Sequence, residues 1–109
     1  MTERREFARW KCLIPCSCSD EDSSFSGQVV DMSFGGVCVV AGTHHPVEGT
    51  RLKLDFGEGR SLEGQVVYRR LQGDHPKHRD HFGLVFLEPW ASRVKILKPF
   101  LEQCCDLQN

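Results

Sequence analysis

Apolar and polar residues alternate with a period of two over most of the chain. From Trp10, the positions Trp10, Cys12, Ile14, Cys16 and Cys18 alternate with Lys11, Leu13, Pro15, Ser17 and Ser19. That spacing predicts a strand with one face turned to a core, and Pro15 marks an edge or a bulge within it. After the acidic turn Ser19-Asp-Glu-Asp-Ser-Ser24, a second strand is predicted over Phe25–Asp31 and a third over Gly36–Ala41. Gly42–Gly49 reads as a loop by composition. Leu52, Leu54 and Phe56 form another half-buried strand, Gly57-Glu-Gly59 a hairpin turn, and Ser61–Leu71 a longer strand. A polar insert, Gln72–Asp80, precedes a last strand over His81–Leu87 with Phe82, Leu84 and Phe86 on one face.

Only the tail changes period. From Pro89 onward, Val94, Leu97, Leu101 and Cys104 fall at helical spacing, with Ile96 and Phe100 widening the stripe. Pro89 suits a first turn, whereas Pro99 is expected to kink or split the helix, because it removes one amide bond. Short antiparallel strands joined by tight turns and followed by one amphipathic helix predict an all-β domain. Its expected form is a six-stranded antiparallel β-barrel with a C-terminal α-helix. Closure removes the two unpaired edges that an open sheet of this size would present. Residues 1–9 are polar and are expected to form a flexible arm, with residues 10–109 making up the barrel and helix.

A chain of 109 residues is one domain, large enough to bury a core without staples. The net charge of −1 excludes broad attraction to a nucleic acid polymer or an anionic membrane. The sign is uneven, however. Arg4, Arg5, Arg9 and Lys11 outnumber Glu3 and Glu6 within the first eleven residues, so a local anion site is allowed. No apolar run is long enough to cross a bilayer and no hydrophobic signal segment follows Met1. The expectation is a cytoplasmic protein without membrane insertion, its six cysteines reduced.

The candidate chemistry lies at the junction of the second and third strands, Asp31-Met-Ser-Phe-Gly-Gly36. In extended backbone, Asp31 and Ser33 point to the same face. Gly35 and Gly36 let the chain turn sharply and expose bare backbone. A carboxylate, a hydroxyl and free amides beside Arg5 and Arg9 suit a ligand carrying both donors and negative charge. A guanine nucleotide meets that description. Standing alone, the two arginines would read as a solvated charge cluster, and Asp31 and Ser33 as caps of a turn.

Taken together, Arg5-Glu-Phe-Ala-Arg9 and Asp31-Met-Ser-Phe-Gly-Gly36 resemble the paired RxxxR and DxSxxG motifs of the PilZ domain family. Gly64–Tyr68 and His81–Phe86 resemble that family's last two strands. The resemblance spans roughly residues 4–104 and implies a six-stranded barrel that binds the bacterial second messenger cyclic di-GMP. Arg5 and Arg9 match the motif arginines, whose forked guanidinium groups bond phosphate or the O6/N7 edge of guanine. Asp31 matches the position that accepts from guanine N1 and N2, Ser33 the serine and Gly36 the glycine. Arg4 precedes the first motif arginine, where a basic residue goes with an intercalated pair of ligands and an apolar one with a single molecule. Arg4 therefore points to two molecules per chain. Tyr68 stands where some relatives carry a tryptophan that stacks on guanine; a surface or core aromatic is the equal alternative.

Arg69 and Arg70 read as surface charges. Cys16-x-Cys18, Cys104-Cys105 and His75-x-x-His78-x-x-His81 lack the spacing of a zinc site. Cys12, Cys16 and Cys18 alternate like small buried apolar residues. No nucleophile–base pairing and no phosphate-gripping Gly-Lys-Ser/Thr loop is legible, so the expectation is a receptor, not an enzyme, with no metal and no cofactor beyond its ligand. It would relay binding to an unidentified partner protein by a conformational change. The alternative is a protein-interaction module of the same fold that does not bind nucleotide.

Overall fold

Where alternation is strictest, the strands bury one face completely. In the computed structural model, Ile14, Cys16 and Cys18 of β1 (Trp10–Ser19) point into the core, as do Leu52 and Leu54 of β4 (Arg51–Asp55). The structure describes residues 9–42, 46–70, 81–103 and 106–107. Arg4, Arg5, His75, His78, Cys104 and Cys105 lie outside the described residues, as does most of the expected arm.

β2 (Ser24–Met32), β3 (Gly36–Val40), β5 (Ser61–Arg70) and β6 (His81–Phe86) complete the wall. Neighbours run β2-β3-β6-β5-β4-β1, and a β1–β2 pairing closes the ring as a six-stranded antiparallel barrel. The β4–β5 hairpin turns through Gly57, Glu58 and Gly59, all at positive φ. Glycine adopts that backbone without penalty at two of the three positions. Among the described residues, β1 between Cys12 and Cys16 pairs only with β2, so Pro15 sits where its missing amide breaks no second ladder. A two-residue strand, β7 (Asp106–Leu107), returns to pair with Trp10 and Lys11. Two residues carry too little pattern for sequence reading to find them.

The helix α1 (Trp90–Gln103) covers the barrel with Leu97, Phe100 and Leu101. Burying each of these side chains is worth about 1.5–3 kcal/mol. Phe100 meets Phe56 with ring centroids 5.1 Å apart, and the Arg60 guanidinium lies 4.3 Å from the Phe100 centroid. Pro99, expected to kink or split the helix, does not split it: α1 runs through the proline. The amide that proline lacks would have bonded the Lys95 carbonyl. Both residues lie on the exposed side, where water can take its place.

Three bulges decide which residues face outward. Strict alternation from Val29 would carry Asp31 into the core. An extra residue in β2 between Val29 and Asp31 shifts the pairing, so Met32 is buried instead and Asp31 faces out. In β5 the alternation Leu62, Gly64, Val66 would likewise bury Tyr68, but an extra residue between Val66 and Tyr68 turns the tyrosine outward. The third bulge lies in β1 between Lys11 and Ile14.

Candidate nucleotide-binding site

These bulges line up a row of outward residues across four strands. Asp31 of β2 pairs with Cys38 of β3, Cys38 with Gly83 of β6, and Gly83 with Tyr68 of β5. The row forms part of a depression of about 490 Å³, within the size range of small-molecule sites. Arg9, Ser33, Gly35, Gly36, Val85 and Arg93 also line it.

Arg9 forks onto Asp31. Its Nε donates to Oδ1 at 3.3 Å and its Nη2 to Oδ2. The hydrogen bond and charge of Asp31 raise the Arg9 pKa further, so the guanidinium stays charged. The arm's second motif arginine and the acidic residue of the strand junction, far apart in sequence, are thus one ion pair. An ionised carboxylate offers about four acceptor sites, so Asp31 retains capacity after Arg9 has taken two.

Ser33, expected to offer its hydroxyl to a ligand, is bonded within its own turn. Its Oγ accepts from Gly35 N and Gly36 N, both at 3.1 Å, and donates to the Gly36 carbonyl at 3.3 Å. Its one donor and both acceptor sites are committed within the turn, so here Ser33 shapes the loop. Gly36 likewise has an internal reason to be glycine. A β-carbon there would lie 2.1 Å from the Leu84 carbonyl oxygen, where β3 meets β6. Gly35 donates within the loop, and its carbonyl takes the amide of Phe86 in β6 at 3.0 Å.

Gly83 lets Tyr68 lie down. The ring covers it so closely that a β-carbon on Gly83 would meet Tyr68 Cε1 at 2.2 Å. So placed, Tyr68 neighbours the Cys38 thiol across the glycine. Burial, and then the neighbouring Cys38 thiol, push the tyrosine pKa up to about 12. Burial also raises the Cys38 thiol, against which the neighbouring tyrosine pulls downward. A neutral thiol is a poor nucleophile, so the pair reads as structural.

The helix joins the site through Arg93, whose Nε donates to the Glu88 carbonyl at 2.6 Å and Nη1 to the Phe34 carbonyl at 3.4 Å. The Phe34 ring lies between Trp10 and Trp90, with centroids 6.1 and 5.4 Å away. Loop, β1 and helix therefore meet at one residue of the strand junction.

Residues 3–103 match the model of the PilZ domain family. The chain belongs to the PilZ family. No curated protein matches it. Among solved structures this PilZ domain is similar to the Bacillus subtilis inhibitor of motility MotI/DgrA (TM-score 0.68, 20% identity, 94% of this chain and 52% of that one). It is also similar to Escherichia coli YcgR in complex with c-di-GMP (TM-score 0.66, 17% identity, 92% of this chain and 46% of that one). The isolated PilZ domain of YcgR with c-di-GMP matches over 93% of this chain and 97% of that one, with TM-score 0.60 and 18% identity. The chain thus spans about half the length of the first two proteins. At these identities the likeness is one of fold.

Within the PilZ domain, Arg9, Asp31, Ser33, Gly35, Gly36 and Tyr68 come together around one depression. Sequence reading missed Cys38, Gly83 and Arg93. The first two follow from strand register once the bulges are known; Arg93 sits in no motif. Among the described residues no group of three or more His, Cys, Asp and Glu side chains could hold a metal ion. Among them, too, no helix is long and apolar enough to cross a membrane.

Proposed function

We propose that this PilZ domain is a cytoplasmic, non-enzymatic receptor for cyclic di-GMP. The observation that carries the reading is the forked Arg9–Asp31 pair at the rim of a depression large enough for a nucleotide base. Guanine N1–H and N2–H₂ take the free acceptor sites of Asp31. Arg4, Arg5 and Arg9 close over the ligand and bond its phosphates or the O6/N7 edge. Each such charge-assisted bond contributes roughly 1.5–3 kcal/mol, offsetting the entropy of ordering the arm. Tyr68 supplies an aromatic face to a base, and the Ser33 turn with Gly35 and Gly36 holds the loop at the right height. Two neighbours of the same fold are structures with c-di-GMP, which supports the choice of ligand. The output is a changed surface offered to a partner protein.

Calorimetry with cyclic di-GMP is the direct test, and its stoichiometry reports on Arg4: two ligands per chain are expected. A second reading, a PilZ-fold interaction module without nucleotide, draws support from the exposed apolar side chains Val67, Val85, Leu87 and Trp90. A flat titration on well-folded protein would select it.

A further inference from the structure

Arg93 lines the same depression as Arg9 and Asp31, yet it comes from α1 and not from the arm or the strand junction. A guanidinium has five N–H groups. Two of those on Arg93 are directed at the Glu88 and Phe34 carbonyls, and among the described residues none of its N–H groups meets a carboxylate. The side chain is half-buried and held by bonds to backbone, so part of the rotamer entropy that a free arginine loses on binding is already spent. Its two carbonyl partners are neutral and leave the positive charge uncompensated. Arg9, by contrast, is already neutralised by Asp31. Among the described residues the depression thus contains one arginine paired with a carboxylate and one that is not, and the latter is the stronger attractor for an anion.

Its place in the fold adds a consequence. The Phe34 carbonyl that Arg93 holds belongs to the Asp31–Gly36 loop, and the Phe34 ring packs on Trp90 in the first turn of the helix. A ligand held by both Asp31 and Arg93 would bridge the barrel wall and the helix. Resting on the cyclic di-GMP reading above, we infer that Arg93 is a further ligand-binding arginine, contributed by the helix. Its free N–H groups bond a phosphate of the nucleotide and tie the position of α1 to occupancy of the site.

The test is cyclic di-GMP titration of the parent chain, Arg93→Gln and Arg93→Lys at two salt concentrations, with thermal unfolding run alongside. Arg93→Gln is expected to weaken binding about 10- to 100-fold. Arg93→Lys is expected to recover part of that loss, because it restores the charge without the fork. The salt dependence should be shallower in the glutamine variant than in the parent. Loss of the two carbonyl bonds alone would lower stability without changing the salt dependence. In the parent chain, the Arg93 guanidinium ¹⁵N resonances should move on saturation with ligand, a readout that needs no variant to fold. Unmoved resonances, or glutamine-variant binding equal to the parent's, would overturn the assignment while leaving the receptor reading standing. A parent chain that binds nothing would remove the receptor reading, and this inference with it.

Discussion

Tyr68 lies over the bare backbone of Gly83, the residue that stands between it and Cys38 in one cross-strand row. The contact exists because an extra residue in β5 turns the tyrosine outward and because glycine leaves it room to lie flat.

Two glycines of the site therefore carry different penalties. In Gly83→Ala the new methyl meets a ring that is 37% exposed and can swing into solvent. The expected cost is below about 1 kcal/mol, with displacement of the ring visible as a changed tyrosine signal. In Gly36→Ala the methyl meets the Leu84 carbonyl oxygen, and β3 and β6 must part to admit it. The expected cost is about 3 kcal/mol or more. Urea melts of the two variants check the order; equal midpoints would refute it. Weakened ligand binding in Gly36→Ala would then report on the barrel, not on a ligand contact.

Tyr68 is the single tyrosine, so its ionisation can be followed by ultraviolet absorbance. It should titrate near pH 12 in the folded chain, above the ordinary value of 10. The sign for stability follows. Below pH 10 the phenol is neutral in both folded and unfolded chains, and the contribution is complete. Between pH 10 and 12 the unfolded chain releases the proton that the folded chain keeps, so stability falls as pH rises. Tyr68→Phe should lose that part of the decline. The same variant removes the phenol that lowers the Cys38 thiol, so alkylation of Cys38 at pH 8 should slow. Faster alkylation would mean that the ring mainly shields the thiol.

Period-two alternation was enough to read every barrel strand, because the buried faces of β1, β4 and β6 follow it closely. The paired motifs likewise brought Arg9 and Asp31 together from sequence positions far apart. Alternation fails at the bulges, and those are where the site lies. Read by period alone, Asp31 and Tyr68 share the face of Val29 and Val66, which are buried. An inserted residue has no compositional mark, so only pairing with the neighbouring strand reveals it. Cys38 and Gly83 were illegible for the same reason. Arg93 was hidden by a different one: on a helix, position in the fold and not spacing brings a side chain to a distant loop.

Removing the fork of Arg9 should separate binding from folding. The Arg9 and Asp31 side chains are 35% and 16% exposed, and an ion pair this accessible contributes about 0–1 kcal/mol. Arg9→Ala should therefore unfold within a few degrees of the parent while losing most affinity for cyclic di-GMP. Arg9→Lys should resemble the alanine variant more than the parent, because an ammonium cannot bond both carboxylate oxygens in a plane. Parent-like binding by Arg9→Ala would show that the ligand site lies elsewhere.

Pro99 offers a test of the helix that leaves the site untouched. It lies inside α1 on the exposed side, and its ring denies the Lys95 carbonyl an amide partner. Proline costs about 3 kcal/mol relative to alanine in a helix interior. It recovers up to about 1 kcal/mol by restricting the unfolded chain, and water at the exposed carbonyl recovers more. Pro99→Ala should accordingly stabilise the chain by about 1–2 kcal/mol, read as a higher urea midpoint with an unchanged slope. Cyclic di-GMP affinity should stay at the parent level, since Arg93 sits toward the other end of the helix. A lower midpoint would mean that the proline ring packs against the barrel. A change in affinity would mean that the C-terminal half of α1, and not only its first turns, is coupled to the depression.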